Sequence, residues 1–179
     1  VEKAQRGIGI WREKDMESID GLCTNDPGVT LVIYCADCVP LYFYDQEHRA
    51  IGLAHAGWRG TAMGMARAMV ERMAQEFGTR PEALRVGIGP SIGKDCFEVD
   101  EPVAQEFMKL PQWDLFVEGP QREKYHVDLW ECNRQFLLSA GVKEENIAVG
   151  QVCTMCESDL IFSHRKTRGQ RGSNCAMLA

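Results

Sequence analysis

The sequence predicts an α+β fold with mixed sheets in a single domain spanning residues 1–179. Two observations support this class. The segments Val39–Asp45 and Ala50–Ala54 read as antiparallel strands joined by a short polar turn. Elsewhere strands and helices alternate without the regularity of a parallel, doubly wound fold, and the GIGPSIG segment lacks the G-x-G-x-x-G spacing of dinucleotide-binding turns. A dinucleotide-binding site at this segment is therefore rejected.

The first half of the chain is divided by turn signals. Residues 1–19 are polar and contain glycine, which predicts a loop, and Asn25–Gly28 is a strong turn signal. Residues 29–35 then read as a buried strand, followed by the hairpin. Across Thr61–Phe77, apolar residues recur at steps of three and four, which predicts one amphipathic helix ending at Gly78 with its methionines in the core.

The second half of the chain is predicted to contain shorter helices and strands in alternation. Asp100 and Asp128 are typical helix caps, so helices are expected from 101 to about 110 and from 129 to about 140. Strands are predicted at 85–89, 113–118, 125–127, 146–152 and 160–162.

Cys38 and His55 are the first candidate site residues. Cys38 opens the first strand of the hairpin and His55 closes the second. Because antiparallel partners bring the start of one strand beside the end of the other, the two side chains are expected at one rim of the sheet. From the residues alone, two alternatives stay open: a functional site formed by Cys38 and His55, or a purely structural role for both side chains.

Arg59 lies in the glycine-flanked segment Ala56–Gly60, directly after His55. A strand end followed by a helix start can present backbone N–H groups and a positive charge to an anion. Arg59 and Arg165 are therefore the candidates for binding phosphate, and the alternative for each is a surface or ion-pair role.

Five segments resemble one family in order and spacing: CADCVP, LAHAGWRG, VGIGPSIGKDCFEV, YHVDLW and CTMCESDLIFSHRKTRGQRG. The family is the laccase-domain family, also called multicopper polyphenol oxidases and now regarded as purine nucleoside phosphorylases with adenosine deaminase activity. The resemblance covers nearly the whole chain. It implies a layered α/β/β/α sandwich.

The resemblance also implies a catalytic zinc held by one cysteine and two histidines. Cys38 and His55 match two of these ligands. The other histidine belongs to an upstream Gln-Val-His-Gly motif that this sequence lacks, which predicts that the chain lacks an N-terminal part of its domain. His164 stands where the family usually has tyrosine, so no role is carried over to that position.

The implied reactions are phosphorolysis of adenosine, inosine and 5′-methylthioadenosine to the base and (methylthio)ribose 1-phosphate, and deamination of adenosine. Two other functions stay open. A cysteine hydrolase would use Cys38 as nucleophile and His55 as base. Copper-dependent phenol oxidation is the less favoured of these functions, because four histidines cannot supply the many ligands of a multicopper site.

The composition of the chain limits the classes of partner that are expected. A net charge of −6 argues against a general nucleic-acid surface, and no apolar run is long enough to cross a membrane. Purine nucleosides and phosphate are the expected partners, and the oligomeric state is not predicted.

The eight cysteines are expected to be cytosolic thiols, because a chain of this size can fold without disulfides. Cys153 and Cys156 form a C-x-x-C pair. Two ordinary thiols in a turn are the favoured interpretation, and half of a structural zinc site, completed by His164 or Cys175, is the alternative. Cys96 is expected to pack as a small hydrophobe. The other two histidines, His48 and His126, are expected to be solvated and packed, respectively.

Overall fold

The structure is a computed structural model that describes residues 19–179, so the loop predicted over residues 1–19 lies almost entirely outside the described residues. The strands in the described part are β1 (Gly21–Thr24), β2 (Leu31–Cys35), β3 (Val39–Asp45), β4 (Ala50–Ala56), β5 (Arg85–Ile88), β6 (Glu98–Val99), β7 (Val117–Gln121), β8 (Lys124–Val127), β9 (Ile147–Val149) and β10 (Asn174–Leu178). The α-helices are α1 (Trp58–Ala62), α2 (Met65–Phe77), α3 (Glu101–Met108), α4 (Leu129–Ser139) and α5 (His164–Thr167).

The largest sheet contains five strands in the order β1-β4-β3-β5-β9. The predicted hairpin is confirmed: β3 and β4 are antiparallel, with Val39 opposite Ala56 and Asp45 opposite Ala50. The buried Asp45 carboxylate accepts hydrogen bonds from the backbone N–H groups of Glu47 and His48 and so closes the turn. Strands β5 and β9 are parallel, which makes the sheet mixed, as predicted.

Two smaller sheets complete the β-structure of the described residues. Strand β10 pairs antiparallel with β2, so the end of the described chain returns to the strand that precedes the hairpin. Strands β6, β8 and β7 form the other sheet. Helix α2 packs against both β4 and α4, which gives the layered arrangement of helices over sheets.

Methionines on α2 fill the space above two glycines of the large sheet. Met73 is fully buried and Met69 is 4% exposed, which confirms their prediction as core residues. A Cβ on Gly52 would lie only 2.9 Å from the Met73 sulfur, and one on Gly21 only 2.6 Å from the Met69 sulfur. Burying each thioether side chain contributes about 1.5–3 kcal/mol, so this layer is a major stabilising contact.

The single helix predicted over Thr61–Phe77 is wrong. The chain forms α1, which already begins at Trp58, and then α2, which begins at Met65. The break lies at Gly64, which has φ +80°, a left-handed conformation that glycine adopts without steric cost. A Cβ there would also meet the Phe136 ring at 3.2 Å, so packing against α4 holds the break in place.

The strand predicted at 113–118 is confirmed only in its last part: residues 113–115 form a 3-10 turn, and β7 begins at Val117. The strand predicted at 160–162 is wrong, because these residues lie in a turn before α5. Conversely, β10 is rich in residues with no strong strand preference, and it is a strand because it pairs along the whole length of β2. Both helix caps are placed as predicted, and the Asp128 side chain accepts a hydrogen bond from the backbone of Glu131.

Candidate metal centre and the loops around it

Cys38 and His55 lie at the same rim of the large sheet. His55 is directly opposite Pro40, and Cys38 precedes Pro40 by two residues, so both side chains project to the same face. The Cys38 sulfur lies 3.2 Å and the His55 Cε1 atom 3.6 Å from the point that a Cβ on Gly57 would occupy. Any side chain at position 57 would therefore fill the space between the thiol and the imidazole.

The His55 ring is held by Asp20. The ring atom Nδ1 lies 3.1 Å from Asp20 Oδ1, and the backbone N–H of His55 donates to the Asp20 carbonyl at 2.7 Å. A carboxylate on Nδ1 leaves Nε2 as the nitrogen that can bind a metal, and this is the usual outer contact of a metal-ligating histidine. Nothing in the sequence marked Asp20, because it is 35 residues away from His55.

The surroundings of Cys38 oppose a free thiolate. Burial is the largest cause that raises the pKa of the Cys38 thiol, and the neighbouring Asp37 carboxylate raises it further. The positive charge of Arg171 acts in the opposite direction but does not reverse the shift. Arg171 is a residue of the basic C-terminal stretch, and its proximity to Cys38 could not be inferred from the sequence.

Arg59 occupies the first turn of α1 and is exposed. Its guanidinium lies over the Trp58 ring, 4.2 Å from the centroid. Because α1 begins at Trp58 rather than near Thr61, Arg59 is a helical residue and not part of the preceding turn. Stacking on the indole restricts the side chain while leaving the charge in solvent.

Arg165 lies far from Arg59 in sequence and is held differently. It donates from Nη1 to the Glu98 carbonyl at 2.8 Å, and its guanidinium lies 5.4 Å from the centroid of the Phe97 ring. The Arg165 backbone N–H donates to Asp37 Oδ2 at 2.6 Å. Arg165 thus has structural contacts in addition to any contact with an anion.

The other three histidines lie in different parts of the fold. His126 Nδ1 lies 3.1 Å from the Lys94 carbonyl, as expected for a packed histidine. His48 lies in the hairpin turn and is partly exposed, as expected, but it is not merely solvated: its Nδ1 lies 2.8 Å from the buried Asp45 carboxylate. His164 is exposed and is the first residue of α5.

Three cysteines meet beside this rim. The sulfurs of Cys96, Cys153 and Cys156 all lie within 4.8 Å of one another, and those of Cys96 and Cys156 are 3.6 Å apart. These residues could hold a metal ion. Cys96 was expected to pack as an ordinary hydrophobe, and the partners considered for the C-x-x-C pair were His164 and Cys175, so the sequence interpretation missed the actual third cysteine.

The cysteines of this cluster differ in their surroundings. Burial is the largest cause that raises the pKa of Cys96, to about 12, and hydrogen bonds with the other two thiols add to it. Burial also acts to raise the pKa of the Cys153 thiol. Hydrogen bonds with the backbone of Gly93, with the backbone and thiol of Cys156 and with the backbone of Met155 outweigh burial, so the net pKa is lowered.

A cleft of about 450 Å³ lies elsewhere, on the large sheet beside the end of β10. The side chains and backbone that line it include Tyr42, Arg85, Glu145 and Leu178. None of the predicted site residues belongs to this cleft. Among the described residues, no helix is both long enough and apolar enough to span a bilayer.

The sequence model of the family described as multi-copper polyphenol oxidoreductase laccase matches residues 2–179. Purine nucleoside phosphorylase YlmD of Bacillus subtilis is 39% identical over 174 residues, which are 96% of this chain and 63% of that protein. Adenosine deaminase RL5, from an unknown prokaryotic organism, is 38% identical over 169 residues, 93% of this chain and 64% of that one.

Solved structures give the same result for the fold. The crystal structure of YlmD from Geobacillus stearothermophilus matches with a TM-score of 0.85 and 42% identity, over 89% of this chain and 60% of that one. The Bacillus licheniformis protein YfiH matches equally well, with a TM-score of 0.85. The chain therefore spans less than two thirds of the length of these relatives.

Proposed function

The chain belongs to the multi-copper polyphenol oxidoreductase laccase family, as the sequence predicted, and on this premise we propose that it is a zinc-dependent purine nucleoside enzyme. Its proposed reactions are phosphorolysis of adenosine, inosine and 5′-methylthioadenosine to the base and (methylthio)ribose 1-phosphate, and deamination of adenosine. The names of the relatives support the class: purine nucleoside phosphorylase for several and adenosine deaminase for one.

The observation that carries the proposal is the convergence of Cys38 and His55 on the space beside Gly57. One thiolate and one imidazole are ligands that suit zinc. Asp20 fixes the His55 ring so that Nε2 is the available nitrogen. The residues present therefore fit a metal site with further positions supplied from outside this pair.

When bound, zinc with an open coordination position would lower the pKa of a water molecule to about 7 and thereby make it a nucleophile at neutral pH. The residues of this chain would position it. Cys38 and His55 would hold the ion, and Asp20 would keep the imidazole in one orientation and one tautomer. The nearby positive charge of Arg171 would favour the Cys38 thiolate. Copper is the weaker choice, because the sequence contains only four histidines.

Phosphorolysis also requires a site for phosphate. Arg59 follows His55 by four residues and presents an exposed guanidinium from the first turn of α1. A guanidinium can bind a phosphate through two parallel hydrogen bonds. We assign Arg59 this role, and Arg165 a smaller one, because Arg165 already donates to the Glu98 carbonyl.

Metal content and thiol reactivity test the proposal. The purified full-length protein should contain zinc, and Cys38→Ala should remove it, whereas Cys35→Ala should not. Cys35 is a suitable control because it is a buried thiol three residues upstream. The Cys38 thiolate should react slowly with an alkylating agent until a chelator removes the metal, since a coordinated thiolate is a poor nucleophile.

A cysteine hydrolase would give the opposite pattern. Cys38 would then be alkylated rapidly in the native protein, and a chelator would leave activity unchanged. The raised pKa of Cys38 argues against that alternative, because a nucleophilic cysteine needs its thiolate at neutral pH. Adenosine should be converted to adenine and ribose 1-phosphate only with phosphate present, and to inosine without it. Failure to convert any purine nucleoside would refute the proposed function.

A cytoplasmic location is part of the same proposal. None of the eight cysteines, all of which lie within residues 19–179, is in a disulfide in the structure, which suits a reducing compartment. Purine nucleosides and phosphate are the proposed partners, and the net charge of −6 disfavours nucleic acid as one of them.

A further inference from the structure

The three-cysteine cluster joins two loops that are distant in sequence. Cys96 ends a 3-10 turn over Lys94–Cys96, and the other two cysteines lie in the loop that follows β9. They are separated from Cys96 by up to 60 residues. Three thiols brought together from two loops form a ligand set for a thiophilic metal ion, because thiolate sulfur prefers such ions.

The distances suit a metal ion. Tetrahedral zinc with sulfur at about 2.3 Å places two ligand sulfurs roughly 3.8 Å apart. The Cys96 and Cys156 sulfurs are 3.6 Å apart, and no pair in the cluster exceeds 4.8 Å. A disulfide would instead require about 2.05 Å. The cluster therefore needs only small side-chain movements to enclose an ion.

The backbone around Cys153 is shaped for a sulfur ligand. The N–H of Gly93 donates to the Cys153 sulfur at 3.2 Å. A Cβ on Gly93 would lie 3.3 Å from Cys153 Cβ and 3.5 Å from its sulfur, so glycine permits this close approach. Ser91 forms a parallel bridge with Cys153, and the Thr154 N–H donates to the Ser91 carbonyl. These contacts hold the two loops in register before any ion binds.

We propose that Cys96, Cys153 and Cys156 bind one zinc ion through three thiolates, at a site separate from the Cys38 and His55 centre. Each coordinating thiol would release its proton to the solvent on binding. The described residues offer three ligands at the cluster, so a water molecule would occupy the fourth position, and the exposed Cys156 leaves the cluster open to solvent.

The ion would hold together the two loops that contact the residue preceding Cys38. Thr154, next to Cys153, donates from its hydroxyl to Asp37 Oδ1 at 2.6 Å, and the Ile92 N–H donates to the Asp37 carbonyl at 3.0 Å. Asp37 directly precedes Cys38. Binding at the cluster would thus fix both loops against the residue that positions Cys38.

Cobalt(II) is the probe for this site. In reduced Cys38→Ala protein, where the other centre has lost its thiolate, we expect about one cobalt per chain with intense thiolate-to-cobalt charge-transfer absorption. Adding Cys96→Ser or Cys156→Ser should abolish that absorption. Adding Cys175→Ser should leave it unchanged, because Cys175 is an exposed thiol outside the cluster.

A measurement on unmutated protein removes any dependence on the variants folding. After loading with zinc, alkylation followed by peptide mass analysis should find Cys96, Cys153 and Cys156 protected, and a chelator should expose them. Exposed Cys175 should be modified in both states. Absence of the cobalt absorption in the Cys38→Ala protein, or alkylation of Cys156 at the same rate with and without zinc, would overturn the proposal.

Discussion

The Asp37 carboxylate accepts a hydrogen bond from the backbone N–H of Arg165, which lies 128 residues later in the chain. Its other oxygen accepts from the hydroxyl of the buried Thr154. Asp37 has φ +76°, so the backbone is turned into a left-handed conformation immediately before Cys38. One side chain therefore connects the hairpin to two C-terminal loops.

The connection between Asp37 and Thr154 predicts coupled losses of stability. Thr154→Val removes the donor and Asp37→Asn removes the charge, while asparagine still tolerates the left-handed backbone. Each change should lower the free energy of unfolding by about 1–3 kcal/mol. Urea unfolding of both single variants and of the double variant should give a coupling energy of about 0.5–3 kcal/mol.

Thr154→Ser is the matched control for that cycle because it keeps the hydroxyl, and it should lose less stability than Thr154→Val. Additive effects of the two changes would mean that the hydrogen bond between them contributes little.

Asp20→Asn should weaken zinc binding at Cys38 and His55 while the fold is retained. The side chain of Asp20 contacts the His55 ring, but the backbone hydrogen bond between the two residues does not depend on it. Replacing such an outer carboxylate typically lowers metal affinity about 10–100-fold. Competition with a metal-binding dye measures the change.

Asp114→Asn is the control for Asp20→Asn, because it removes one exposed carboxylate elsewhere and keeps the same net charge change. Equal affinities in the two variants would show that Asp20 does not orient a metal ligand.

The hairpin was predictable because its signals are local. The apolar runs of β3 and β4 are separated by a short polar turn, and this fixed the register that places His55 opposite Pro40. The break between α1 and α2 was not predictable in the same way. The apolar period continues through Gly64, and the left-handed conformation there is held by contact with Phe136 from a distant helix.

The same distinction applies to the site. Cys38 and His55 could be proposed as neighbours because the hairpin joins them. Asp20, Arg171 and Cys96 could not, because each reaches its partner through tertiary contacts across many residues. No spacing rule in a single sequence relates Cys96 to a C-x-x-C pair that lies 57 residues downstream of it.

Asp45 should make stability depend on pH in the acid range. Burial acts to raise the pKa of Asp45. The neighbouring Thr79 hydroxyl and the amide and ring of His48 lower the pKa by more than burial raises it, so the net pKa lies below the ordinary value. A carboxyl group with a lowered pKa in the folded state stabilises the protein above its unfolded pKa of about 3.9. This contribution is lost as the pH falls through the lower folded pKa.

Asp45→Asn should therefore be less stable than the parent protein at pH 7, and the difference should shrink as the pH falls below about 4. Urea unfolding at several pH values measures it. Asp159→Asn, at an exposed position, should give no such trend. A stability difference that is constant with pH would show that the loss comes from turn geometry and not from the charge.

Arg59→Lys should weaken phosphorolysis more than deamination. Lysine keeps the positive charge but loses the planar fork that binds phosphate through two hydrogen bonds, and it stacks less well on the Trp58 ring. We expect kcat/KM for phosphorolysis of adenosine to fall about tenfold or more, mainly through a higher KM for phosphate, with deamination nearly unchanged. Arg67→Lys is the matched control, because Arg67 is also an exposed helical arginine over an aromatic ring, that of Phe136. It should alter neither reaction. An equal loss of both reactions in Arg59→Lys would mean that Arg59 supports the fold of α1 and does not bind phosphate.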